Sequence, residues 1–194
     1  MYKFMDRLAR LFAILGGIVL SILIVQTCLS IIGRSISTIL HSDLIETTFP
    51  TVSQTLLSTG VGPINGAFEL VEAGMAFVIF AFLPLCQLAG AHASVDIFTS
   101  KLPNNANAIL RTLIEIVFAF VIVVIAWELS QGMLSKQRTG QTTFILEFPV
   151  WLPYALSLVA AVASAIVAVY VAMMRVLELV SGRQILPAEL EAEH

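Results

Sequence analysis

The sequence predicts an all-α integral membrane protein with four transmembrane helices and both termini on the cytoplasmic side. Three observations carry this. Hydrophobic residues make up 58% of the 194, mean hydropathy is +0.95 and only 12% are charged, where a soluble domain has about 25%. Leu11–Gly33, Ala73–Ala91, Ile116–Trp127 and Phe148–Met174 contain no Asp, Glu, Lys or Arg. The 10 cationic residues are spread unequally between these runs.

About 20 apolar residues, at ~1.5 Å rise each, cross a hydrocarbon core of about 30 Å. The first and last runs reach that length outright. The second does so with Gly66–Glu72 added, and the third with Ala108–Glu115 and Glu128–Gln131. Backbone amides in lipid need internal partners, so the runs read as helices, at about 11–33, 66–91, 108–131 and 148–176. One membrane domain follows, with an outer loop at 34–65 and no room for a large soluble catalytic lobe.

Lys3, Arg7 and Arg10 precede the first run like a secretory leader. A signal core spans only about 7–15 residues before a small-residue cleavage site. This run is longer and ends in Ile31-Ile32-Gly33-Arg34, so it reads as a retained span. Orientation follows from Lys and Arg, which accumulate on the cytoplasmic side. Seven lie in the leader, the second loop with its flank (Lys101, Arg111) and the tail (Arg175, Arg183). Arg34, Lys136 and Arg138 fall in the other loops.

In the outer loop, Ser35–Leu40 and Val52–Leu57 mix polar and apolar residues at near-helical spacing, with breaks at Pro50 and Pro63. Short helices along the membrane surface are expected there. Trp127, Trp151 and Tyr154 fall at one interface, as belt residues do. Cys28 and Cys86 lie toward opposite sides of the membrane, and His41, His92 and His194 are isolated. No disulfide, metal site or cofactor is expected. Nothing suggests nucleic-acid binding.

Carboxylates in lipid are costly and usually face protein or water. Glu69 and Glu72 open the second span, and Gln87 falls near the Glu69 face beyond the kink expected at Pro84. Arg34, on the same side, is expected to pair with Glu69 or Glu72. Alternatives are an ion or proton site on the glutamates, or contact with another subunit. Glu115 lies four residues after Arg111, an intrahelical pairing distance. Small residues recur every four positions at Ala160, Ser164, Ala168 and Ala172, and at Ala13, Gly17 and Ser21. Such faces allow close helix packing, within the bundle or against another chain.

Several segments together resemble one family. They are Phe68-Glu69-Leu70-Val71-Glu72, Phe82-Leu83-Pro84-Leu85-Cys86-Gln87-Leu88, His92-Ala93-Ser94-Val95-Asp96, and Gly140–Thr143 through Pro149–Tyr154. Their order is similar to that of the small membrane subunit, DctQ, of tripartite ATP-independent periplasmic (TRAP) transporters. The resemblance covers most of the chain, including the Arg after the first span (Arg34) and the His-x-x-x-Asp after the second (His92, Asp96). The chain departs from the family in its longer outer loop and in Ala91 before His92.

The resemblance implies a non-catalytic subunit that scaffolds and anchors a large elevator-type permease in the bacterial inner membrane. A periplasmic binding protein would deliver an organic acid, and a sodium or proton gradient would drive its uptake. His92 is then expected at headgroup level. Asp96 is expected to cap Ile97–Leu102, to meet Arg10 or Arg111, or to touch a partner. The rival reading is a small self-assembling exporter that exchanges protons on Glu69 and Glu72.

Overall fold

A computed structural model describes residues 1–42, 60, 62–90 and 104–181. Four helices occupy most of them: α1 (Tyr2–Leu40), α2 (Ala67–Ala89), α3 (Asn104–Thr139) and α4 (Trp151–Ser181). Each is long and apolar enough to cross a bilayer.

α1 is one uninterrupted helix of 39 residues, so two boundaries differ from expectation. The helix does not stop at Gly33, and Ser35–Leu40 forms its last turns instead of a separate surface helix. No proline or charged run interrupts this stretch, and the Thr38 hydroxyl bonds back to the Arg34 carbonyl at 2.9 Å. Val52–Leu57 lies outside the described residues. α3 likewise extends past its expected limits, to Thr139.

α1 packs on α2, α2 on α4, and α4 on α3, with a lesser contact between α1 and α4. α4 is therefore central. In its most apolar stretch 61% of residues are buried, against 17% in each of the other three. Ala160, Ser164, Ala168 and Ala172 are all buried, which assigns that small-residue face to packing inside the bundle. Ala168 and Ala172 meet Ala119 and Phe118 of α3. Val167, Tyr170 and Val171 meet Tyr2, Met5 and Leu8 of α1, and Leu88 of α2.

The α1 contact uses a different repeat from the expected one. Its buried residues include Ala9, Gly16, Leu23 and Ser30, spaced by seven. A repeat of seven winds antiparallel helices into a left-handed coil. Each step along α1 meets a matching step back along α2. A Cβ on Gly16 would stand 2.9 Å from that of Ala81, and one on Gly74 would stand 2.9 Å from Leu23. By contrast Gly17 has nothing within 4 Å of a Cβ position, and Ser21 is exposed. The expected Ala13-Gly17-Ser21 face is thus not the α2 contact.

Pro84 lies inside α2 and lacks the N–H that would pair with the carbonyl four residues earlier. That carbonyl belongs to Phe80, and the Ser164 hydroxyl of α4 approaches it at 2.7 Å. Lipid offers no substitute donor, so the small residue at position 164 both permits the close approach and supplies the missing hydrogen bond.

Candidate functional site at the hairpin end

At one end of the bundle α1 and α3 finish while α2 and α4 begin. The connection 140–150 forms a tight hairpin there. The Thr143 N–H donates to the Phe148 carbonyl and the Val150 N–H to the Gln141 carbonyl, both at 2.9 Å. Glu147 turns the tip with φ 53°, in the left-handed region where side chains other than glycine are strained.

The tip folds onto the start of α2. Glu69 Oε1 accepts the Ile145 N–H at 2.7 Å, and Oε2 accepts the Leu146 N–H at 2.9 Å. Both carboxylate oxygens are therefore engaged by loop backbone. The Leu146 side chain lies on Gly66, where a Cβ would collide with it and where φ is +72°. Carboxylate and glycine together hold residues 144–147 against α2.

Beneath this clasp is a cavity of about 530 Å³. Its lining includes Glu69, Glu72, Thr143, Phe144, Phe148 and Tyr154, with Ala73, Ala76, Leu129 and Ser157. Ala76 lies seven residues beyond Glu69, or about 10 Å along the helix axis. Ser157 is 2% exposed, and its Oγ has no hydrogen-bond partner among the described residues.

The profile of one family, described as tripartite ATP-independent periplasmic transporters, DctQ component, matches residues 23–179. The chain belongs to that family. Comparison with the curated proteins and with the solved structures gives no match. As a DctQ component it is the small, multi-pass membrane component of a TRAP transporter, whose other parts are a large permease and a periplasmic binding protein. The matched stretch takes in the Glu69 clasp and the cavity lining.

Arg34 of this DctQ component is exposed and, among the described residues, forms no ion pair with Glu69 or Glu72. At Glu69 the hairpin amides take both oxygens in place of Arg34; Glu72 is exposed and likewise carries no ion pair to Arg34 among the described residues. The nearby helix contact is made instead by Gln26, whose amide reaches the Ala67 carbonyl at 3.3 Å. Ser30 adds to it by accepting the Ile64 N–H at 3.2 Å.

Gln87 does not share a site with Glu69. It is 3% exposed near the far end of α2, and its side-chain amide donates to Glu115 of α3. That bond ties Glu115 across to another helix, beyond the intrahelical relation to Arg111 suggested by the sequence. His92 and Asp96 lie outside the described residues. Trp127 is exposed and Trp151 half-buried, whereas Tyr154 lines the cavity and sits against Gly132. Sequence reasoning missed the Ile145 and Leu146 amides, Gly66 and Ser157. Of these only Gly66, just before the helix start, carried a readable signal.

Proposed function

We propose that this DctQ component is a non-catalytic scaffold that anchors its permease in the bacterial inner membrane. Both termini face the cytoplasm and the hairpin end faces the periplasm. The permease carries an organic acid received from the binding protein, driven by an ion gradient, with sodium as the expected ion. The observation that carries this reading is the filled interior of the bundle. Ala160, Ala161, Ser164, Val167 and Ala168 of the central helix are 2% exposed or less, so close packing replaces a solute path.

Two further features support it. Glu69 holds a loop with both oxygens, a structural task that leaves the proton-exchange reading without support. The edge helices α1 and α3 each present a long apolar flank. Ile18, Ile22, Val25, Leu29 and Ile32 line one; Ile109, Leu113, Val117, Phe120 and Trp127 line the other. Such flanks suit a permease on one side and lipid on the other.

Reconstitution tests the reading. Vesicles holding this chain alone should take up no organic acid. Vesicles holding it together with the permease, and supplied with binding protein and a sodium gradient, should accumulate it. Uptake by the chain alone would overturn the scaffold role.

A further inference from the structure

We propose that the hairpin tip is a membrane anchor, which seats Phe144 and Ile145 in the headgroup–acyl boundary of the bilayer while the Glu69 clasp satisfies the backbone behind them. The inference rests on the four spans and not on the transport reading.

Depth is fixed by α2. Glu69 and Gln87 stand eighteen residues apart on that helix, about 27 Å along its axis. A hydrocarbon core is about 30 Å thick, so these two polar side chains mark its opposite edges. Glu72, one turn inside, is within snorkelling reach of the Glu69 edge. The Ile145 and Leu146 amides bond directly to the Glu69 carboxylate. The tip is therefore tied to the level of that edge.

Its side chains suit the place. Phe144 is 94% exposed and Ile145 56%, whereas Leu146 packs onto Gly66. Phe68, next to Glu69 on α2, is 77% exposed. Apolar side chains presented at this level enter the headgroup–acyl boundary, where interfacial segments sink about 5–10 Å.

The tip backbone supplies an independent observation. The N–H groups of Ile145 and Leu146 donate to Glu69, that of Thr143 to the Phe148 carbonyl, and that of Phe148 to the Thr143 hydroxyl at 3.3 Å. Water would satisfy such donors unaided, whereas hydrocarbon offers them nothing. A loop built for water has no need of a carboxylate that engages it with both oxygens. A protein partner fits less well than lipid. Protein interfaces carry about one hydrogen bond per 100–200 Å², and here four donors are already taken beside hydrocarbon side chains. A fluid apolar boundary requires no directional contact.

The test is spin-label accessibility of the full chain in phosphatidylcholine nanodiscs, with Cys28→Ser and Cys86→Ser removing the native thiols. A nitroxide at Phe144→Cys should collide with a water-soluble nickel chelate about fivefold less often than one at Arg138→Cys, in the last turn of α3. Its collisions with oxygen should fall between those at Arg138→Cys and those at Ile18→Cys, an exposed position midway along α1. A label at Ile145→Cys, which keeps the clasped amide, should agree with Phe144→Cys. Adding Glu69→Ala should bring the nickel ratio to about one, because the freed amides draw the tip out to water. Equal nickel collision at Phe144→Cys and Arg138→Cys with the clasp intact would overturn the proposal, as would an unchanged ratio in Glu69→Ala. So would protection that arises only when the permease or the binding protein is added, which would assign the tip to a protein contact.

Discussion

The Ser164 hydroxyl of α4 stands 2.7 Å from the Phe80 carbonyl of α2, the one acceptor in that helix that Pro84 deprives of its usual donor. The Ala160 carbonyl, 2.9 Å away, is the alternative acceptor within α4 itself. Ser164→Ala should therefore destabilise the bundle by about 0.6–1.7 kcal/mol, the scale of interhelical hydrogen bonds in membranes. In a Pro84→Ala background the alanine N–H can serve Phe80, and the same serine change should cost less. Reversible unfolding in detergent across this double-mutant cycle measures the coupling. Equal costs in both backgrounds would remove the link between proline and serine.

Glu69 and Gly66 should control the hairpin tip without holding the bundle together. Glu69→Ala should speed amide exchange at Ile145 and Leu146 roughly tenfold, while amides in the middle of α4 stay protected. Glu69→Gln keeps one acceptor oxygen and should fall between the two. Gly66→Ala should give the same local release, through collision with Leu146 and a positive φ. Hydrogen exchange read by mass spectrometry separates this local opening from global unfolding.

Adjacent glycines on α1 should behave oppositely. Gly16→Val drives a side chain into Ala81 and Phe82, at an overpacking cost of about 1–3 kcal/mol. Gly17→Val meets open space and should change stability by no more than about 0.5 kcal/mol. Thermal unfolding of the two variants decides between a contact repeat of seven and one of four. A larger loss at Gly17 would favour four.

Arg34→Ala should likewise shift stability by no more than about 0.5 kcal/mol, because the side chain is exposed and unpaired with either glutamate. A loss matching that of Glu69→Ala, with faster exchange at Ile145, would restore the ion pair suggested by sequence.

Helix number was legible because long uncharged runs have no other stable form in lipid. The packing partners were less so. The four-residue repeat from Ala160 to Ala172 is visible, but its inward direction depends on the neighbours of α4. On α1 the same rule misleads, since Ala9, Gly16, Leu23 and Ser30 mix small and large residues and leave no compositional stripe. The partners of Glu69 are backbone amides 76 and 77 positions away, and every non-proline residue carries such a donor. Pro84, in contrast, announces an orphaned carbonyl in the sequence itself; only the identity of its donor had to come from the fold.

The central place of α4 also bears on biogenesis. The helix that touches all three others is the last of the four to be synthesised. Until it inserts, the α1–α2 pair and α3 are tied by the Gln87–Glu115 bond without the packing that α4 supplies, and Phe80 waits without its donor. Closure of the bundle therefore waits for α4, and a nascent chain halted before Trp151 should be a substrate for membrane quality control.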